Sequence, residues 1–153
     1  MKILILYGSI SGNTEAVATT LYEQLVKGVP DYEFEILDLN STEPGKILDY
    51  DAVIFGSSTW DDLPNPDTED FLIRLNSSAL DLTGKRFALF GLGDSAYPVF
   101  CGALPLAQAE FEKHGGKVES NFFTIDGYPD KAMEAQLYAW AEKFSQSLAA
   151  TPL

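Results

Sequence analysis

Short apolar runs alternate along this chain with segments of helical periodicity, and no other feature limits the possible folds as strongly. Four runs contain few or no polar residues: Ile3–Tyr7, Ala52–Phe55, Phe87–Phe90 and Phe122–Ile125. Strands of this composition are typically buried on both faces, as in a parallel sheet that is covered by helices. A fifth run, Glu33–Leu39, alternates polar and apolar residues, which is typical of an edge strand.

Helical patterns lie between the runs. We predict four helices: one with Asn13 or Thr14 as its N-cap, one capped by Asp67, one over Leu104–His114 and one over Ala132–Leu148. The alternation of strands and helices predicts right-handed crossovers and an α/β fold with a doubly wound sheet. Ligands of such sheets bind beyond the carboxyl ends of the strands, where the strand order reverses. The loops after the first, third and fourth strands therefore form the candidate site.

Charge and size exclude several classes of function. The 153 residues predict one domain over residues 1–150 and a frayed tail over 151–153. Ten basic residues against 23 acidic ones give a net charge of −13, which argues against binding to nucleic acid or to an anionic membrane. No signal peptide or membrane-spanning run is found, so we expect a cytoplasmic protein, and we expect it to be a free-standing monomer. The only cysteine, Cys101, and the only histidine, His114, argue against a disulfide and against a metal site.

The loop after the first strand, Gly8–Thr14, places small hydroxyl and amide residues at the start of a helix. Backbone N–H groups and the positive end of the helix dipole converge there and can hold an anion. The loop has no lysine and no G-x-G-x-x-G pattern, so neither a Walker A loop nor a dinucleotide site is indicated. We predict that neutral donors bind a phosphate monoester here, the alternative being a simple helix cap.

The other two loops carry aromatic and acidic residues. Trp60 follows the third strand among polar residues and could stack on a planar ligand, or it could fold back onto the sheet edge. Five acidic residues and no basic ones lie between Asp61 and Asp70, which is also compatible with a merely solvated face. After the fourth strand, Gly91 and Gly93 permit a close approach of backbone to ligand, and Tyr97 could form a second aromatic wall. A phosphate at one end and a flat ring at the other describe FMN better than a free nucleotide.

Three motifs in the same order resemble those of the flavodoxin family, and the resemblance spans the whole chain. They are S-x-S-G-N-T at Ser9–Thr14, S-T-W at Ser58–Trp60 and G-x-G-D-S-x-Y-x-x-F-C-G-A at Gly91–Ala103. The resemblance, with the short chain, implies a short-chain flavodoxin with a doubly wound five-stranded parallel sheet in the order 2-1-3-4-5. It implies a low-potential carrier of single electrons rather than an enzyme, with FMN as its cofactor.

The resemblance also implies the roles of individual residues. The segment Ser9–Thr14 would bind the FMN phosphate, and Ser58 and Thr59 would lie near the phosphate and the ribityl chain. Trp60 and Tyr97 would flank the isoalloxazine ring. Asp94 and Cys101 would lie beside the pyrimidine end of the ring, and Leu92, Gly93 and Phe100 would line the pocket. The implied cofactor-binding residues are Ser9, Ile10, Ser11, Gly12, Asn13, Thr14, Ser58, Thr59, Trp60, Asp61, Leu92, Gly93, Asp94, Tyr97, Phe100 and Cys101.

Two positions depart from the family pattern. Ile10 replaces the usual small polar residue, and Asp61 stands where many relatives have glycine. In this family the peptide after the tryptophan turns over on reduction, and glycine adopts the required positive φ most cheaply. We therefore expect Asp61 to make this turn costlier and the semiquinone less stable than with glycine.

The acidic stretch beside the expected flavin edge predicts basic redox proteins as partners. Two other functions stay open on the sequence alone. One is an FMN domain or accessory protein of a reductase system, and the other is an NAD(P)H-dependent flavin reductase.

Overall fold

A computed structural model describes residues 1–9, 12–60, 63–93, 101–127 and 129–149 of the chain. Two short 3-10 turns, Leu39–Ser41 and Pro44–Asp49, lie between the second and third strands. The strands and helices in chain order are β1 (Lys2–Gly8), α1 (Asn13–Gly28), β2 (Glu33–Asp38), β3 (Ala52–Trp60), β4 (Leu63–Pro64), α2 (Pro66–Asn76), β5 (Arg86–Gly93), α3 (Ala103–Lys113), β6 (Lys117–Val118), β7 (Phe123–Asp126) and α4 (Lys131–Ala149).

The sheet has the predicted doubly wound order. Strands run β2-β1-β3-β5 in parallel, and β6 and β7 both pair in parallel with β5 as two halves of one outer strand. Counted in this way, the five parallel strands have the order 2-1-3-4-5, which confirms the prediction. The two-residue β4 was not predicted, and it pairs antiparallel with the end of β3.

The core consists of one apolar layer on each face of the sheet, because alternate residues of a buried strand point to opposite sides. Ile3 and Ile5 of β1 belong to the layer that contains residues of α1 and α4. Leu4 and Leu6 belong to the opposite layer, which contains residues of α2 and α3. All four side chains are fully buried, which confirms that β1 is covered on both faces. Within the described residues, no helix combines the length and the apolar character that a membrane crossing requires.

Two predicted helix caps are wrong. Helix α1 is capped by Gly12, whose φ of 87° favours glycine, rather than by the side chain of Asn13 or Thr14. Helix α2 begins before Asp67: Asn65 is its N-cap, and Pro66 occupies the first turn, where its fixed φ and missing N–H cost nothing. The predicted starts of α3 and α4 are correct to within one residue.

The strands reach further into the candidate site than the apolar runs indicated. Ser57 of β3 pairs with Gly91 of β5, and Ser58 pairs with Leu92, although all four were predicted to lie in loops. The backbone of Trp60 is likewise part of β3. Ladder hydrogen bonds need only backbone groups, so small and polar residues continue a strand after its apolar pattern has ended. The carboxyl ends of β3 and β5 therefore reach the candidate site as paired strands rather than as loops.

Candidate functional site

The candidate site lies at the carboxyl ends of the central strands β1 and β3. Strand β2 flanks β1 on one side and β3 flanks it on the other, so the strand order reverses at this point. Gly8, the last residue of β1, pairs with Ser57 of β3. Ser9 follows Gly8 and Ser58 follows Ser57, so a polar side chain comes directly after each member of this pair. The topology thus brings the first and second predicted loops together at the expected place.

The start of α1 presents donors to this place. Gly12 donates its N–H to Ser9 Oγ at 3.0 Å, and no side chain caps the helix. Thr14 is 1% exposed, and its Oγ1 has no hydrogen-bond partner among the described residues. A buried polar atom without a partner costs about 1–3 kcal/mol, so an acceptor bound here would be stabilised. Uncapped N–H groups, a helix N-terminus and a free hydroxyl fit the phosphate of a cofactor.

A buried polar cluster supports this cradle from the side of α2. Asn65 is fully buried, and its Nδ2 lies 3.0 Å from the Gly8 carbonyl oxygen and 3.0 Å from Ser58 Oγ. Thr68 is also fully buried, and its Oγ1 lies within hydrogen-bond distance of Ser57 Oγ, at 2.8 Å. Neither Asn65 nor Thr68 is among the site residues predicted from the sequence. An Asn-Pro dipeptide between two periodic segments was the signal that could have located the cap.

The end of β5 and the start of α3 form the opposite wall. Ala103 N donates to Thr59 Oγ1 at 3.2 Å, which ties the start of α3 to the end of β3. Cys101 is 3% exposed with a φ of 53°, and burial raises the pKa of its thiol to about 11. The thiol is therefore protonated at neutral pH and packs as a small apolar group. Leu92 is also buried, within the layer on the side of α1.

The acidic residues of α2 differ in how far they are compensated. Asp67 and Glu69 lie in its first turn, where a negative charge is favoured by the helix dipole. Asp70 forms an ion pair with Arg74 at 3.0 Å, and Arg74 also pairs with Glu43 at 3.1 Å. Neither Asp67 nor Glu69 forms an ion pair with another described residue, so the carboxylates of this helix that lack an ion pair lie in its first turn.

Six of the sixteen predicted site residues lie outside the described residues, and so does the side chain of Trp60. Ser9, Gly12, Asn13, Thr14, Ser58 and Thr59 lie at the ends of β1 and β3 and at the start of α1, and their role in cofactor binding stays a prediction. Within the described part of the chain, no cluster of three or more histidine, cysteine, aspartate or glutamate residues could hold a metal ion. The predicted residues outside it are Ile10, Ser11, Asp61, Asp94, Tyr97 and Phe100, together with the side chain of Trp60.

Fold and site together define a doubly wound α/β protein with a neutral anion cradle at its switch point. The sequence model of the flavodoxin family matches residues 5–140. Probable flavodoxin 2 of Bacillus subtilis (strain 168) is 34% identical over 146 residues, which cover 95% of either chain. A flavodoxin of Maridesulfovibrio salexigens is 37% identical over 132 residues, covering 85% of this chain and 89% of that one.

A solved structure agrees with these relatives. Oxidised flavodoxin 2 from Bacillus cereus superposes with a TM-score of 0.86 at 32% identity, covering 96% of this chain and 99% of that one. The chain belongs to the flavodoxin family, whose members bind a flavin.

Proposed function

We propose that this protein carries single electrons at low potential between redox enzymes, with FMN as its cofactor. The observation that carries the proposal is the cradle at the start of α1, where Thr14 Oγ1 is buried and has no hydrogen-bond partner among the described residues. The chain that contains this cradle belongs to the flavodoxin family. FMN supplies the one-electron chemistry when it is bound, and the protein supplies binding and electrostatics.

The phosphate end of the site uses neutral donors. The first N–H groups of α1, the hydroxyl of Thr14 and the hydroxyl of Ser58 would hold the phosphate, with Gly12 leaving room for it. The segment Ser9–Thr14 contains no lysine or arginine. A protein with a net charge of −13 can thus hold an anionic cofactor through hydrogen bonds rather than ion pairs.

The ring end would set the potential. Trp60 and Tyr97 are the proposed walls of the flavin ring, and their role is to exclude water from it. Carboxylates near the ring oppose any further negative charge on it, which makes the second electron harder to add and the reduced protein a strong donor. The proposed acidic groups are Asp61, Asp62, Asp67, Glu69, Asp70 and Asp94.

A carrier role is proposed in preference to an enzymatic one. The thiol of Cys101 is buried, and its pKa is raised to about 11, which makes it unsuited as a nucleophile. Aromatic rings on both faces of the flavin would leave no room for a nicotinamide. The proposed partners are basic redox proteins that dock at the acidic flavin edge of a cytoplasmic monomer.

The visible spectrum during stepwise reduction tests the proposal. The purified protein, supplied with FMN, is expected to show flavin absorption bands and to be reduced in two separate one-electron steps. A colourless protein that takes up no FMN would contradict the proposal. Steady oxidation of NAD(P)H by the pure protein would instead favour a flavin reductase.

A further inference from the structure

Asn65 connects three separate segments of the site. It lies 57 residues after Gly8 in the sequence, yet its Nδ2 donates to the Gly8 carbonyl oxygen at 3.0 Å. The same nitrogen lies 3.0 Å from Ser58 Oγ and 3.3 Å from the Ser58 carbonyl oxygen. On the other side of the amide, Oδ1 accepts the N–H of Thr68 at 2.9 Å. One side chain thus joins the end of β1, the end of β3 and the first turn of α2.

The neighbours of Asn65 leave only one orientation for its amide. The N–H of Thr68 can only donate, so the oxygen must face it, and the Gly8 carbonyl can only accept, so the nitrogen must face that side. Its two N–H groups then point at the two nearest acceptors, the Gly8 oxygen and Ser58 Oγ. The bond to Gly8 is buried and therefore shielded from competition with water, whereas the bond to Ser58 Oγ is only partly buried.

This orientation decides what the Ser58 hydroxyl can do. Ser58 Oγ accepts from Asn65, and no hydrogen bond from its own O–H to another described residue is found. The neighbouring Ser57 hydroxyl is already engaged, since it donates to the Ser58 carbonyl oxygen at 3.0 Å and pairs with Thr68 Oγ1 at 2.8 Å. The proton of Ser58 is therefore available for an external acceptor, and a phosphate has acceptor oxygens.

We propose that Asn65 is a positioning residue of the cradle, which turns the Ser58 hydroxyl proton toward the phosphate of FMN and holds the end of β1 beside it. This inference rests on the proposed FMN site. Asn65 is suited to the task because it caps α2 with its oxygen while it donates twice with its nitrogen. An aspartate could cap the helix equally well but could not donate in its ionised form.

The Asn65→Asp variant keeps the capping oxygen but loses the donated hydrogen bonds, so it tests the two roles separately. Riboflavin has the same ring and ribityl chain as FMN without the phosphate, so a comparison of the two ligands isolates the contribution of the phosphate. We expect the variant to bind FMN about tenfold more weakly or worse, because hydrogen bonds to charged groups are among the strongest. Riboflavin affinity should change much less, so the ratio of FMN to riboflavin affinity should fall. Both affinities are measured by fluorescence titration of the flavin-free protein.

Three further variants control the test. Leu75→Ala removes a fully buried side chain from the same helix, outside the polar cluster, and should leave the ratio unchanged. Asn65→Ser keeps a capping hydroxyl without a charge and is too short to donate to Gly8, so it tests the proposal if the aspartate variant does not fold. In a Ser58→Ala background, the effect of Asn65→Asp should shrink, because the group through which Asn65 acts is gone.

An unchanged ratio of FMN to riboflavin affinity in both Asn65 variants would overturn the inference, as would an equal loss of both affinities. Full additivity of Asn65→Asp and Ser58→Ala would also overturn it. Failure of the unmodified protein to bind FMN would instead contradict the proposed function. The two failures are thus distinguishable.

Discussion

Gly8 shows how the absence of a single side chain shapes the site. A Cβ at this position would overlap Thr68 Oγ1 and would lie only 2.8 Å from Leu39 Cδ1. The hydroxyl of Thr68 in turn pairs with Ser57, so any displacement passes to the end of β3. Glycine at position 8 is required by the close approach of α2, since its φ is not in the left-handed region.

We expect Gly8→Ala to lower the free energy of unfolding by about 1–3 kcal/mol, as overpacking does in a filled interior. Urea unfolding measures the loss. The matched control is Gly45→Ala, because the nearest atom to a Cβ there, Leu80 Cδ2, lies 3.9 Å away. The control should stay within about 0.5 kcal/mol of the unmodified protein. Equal stabilities of the two variants would show that α2 can move away from β1 at little cost.

Asp61 carries a prediction that comes from the sequence alone, since it lies outside the described residues. If the peptide after Trp60 must adopt a positive φ on reduction, Asp61→Gly removes a backbone penalty. We expect the first reduction potential to rise in that variant, as measured by potentiometric titration. Asp61→Asn removes the charge but keeps the Cβ, so a rise of equal size in both variants would identify charge rather than backbone as the cause.

At the level of secondary-structure elements, buried polar contacts join segments that the apolar pattern leaves unconnected. Tyr50, which is 1% exposed, donates its hydroxyl to Glu35 of β2. This hydrogen bond is the main cause of the lowered pKa of Glu35, while burial and then the same bond raise the pKa of Tyr50. The Tyr50 carbonyl oxygen also accepts from Lys85 Nζ at 2.6 Å. The turn before β3 is thereby tied to β2 and to the residue preceding β5.

Tyr50→Phe should therefore destabilise the protein in a pH-dependent way. At pH 7 the expected loss is about 1 kcal/mol, which takes into account that Glu35 is partly exposed. Because the folded-state pKa of Glu35 is lowered, its contribution is complete above its unfolded pKa and is lost as the pH falls through the folded pKa. The difference between variant and unmodified protein should thus shrink between pH 7 and pH 3 in urea unfolding. A loss of equal size at both pH values would assign the effect to packing.

At the level of the whole molecule, the net charge of −13 is unevenly placed. Asp67 and Glu69 lie in the site-facing turn of α2, whereas Asp70 is compensated by Arg74. These carboxylates would repel negative charge on the proposed flavin. The same carboxylates would attract basic partners over a long range. The potential and the association rate should therefore change together when these groups are neutralised.

The combined variant Asp67→Asn/Glu69→Gln tests this link. Its second reduction potential should rise, and its association with a basic haem protein should slow severalfold at low salt, with the difference fading as salt screens the charges. Stopped-flow kinetics at several ionic strengths measure the rates. The control, Asp31→Asn/Glu33→Gln, changes the net charge equally at the opposite end of the sheet, where both residues are exposed. An equal slowing in the control would show that total charge, not its location, governs association.

Agreement between sequence and structure is best where burial dictates the residue types. Strands β1, β3 and β5 were found because both their faces must be apolar, and α3 and α4 because one face must be. The run Phe122–Ile125 predicts β7, whereas the two-residue β6 and the N-cap of α2 at Asn65 are missed, because a two-residue strand has no periodicity and Asp67 is itself a residue type that caps helices. Local patterns rank such alternatives poorly because caps and short strands depend on distant partners.

The alternation of strands and helices, the candidate site at the strand ends and the family motifs can all be read from the sequence alone. These properties follow from local composition and periodicity, because a buried strand or helix face needs apolar residues at the period of that element. The three-dimensional structure was needed to show that Asn65 caps α2 and donates hydrogen bonds to both Gly8 and Ser58. That outcome depends on contacts between residues far apart in the chain, because the direction of a hydrogen bond is set by the groups that meet in space.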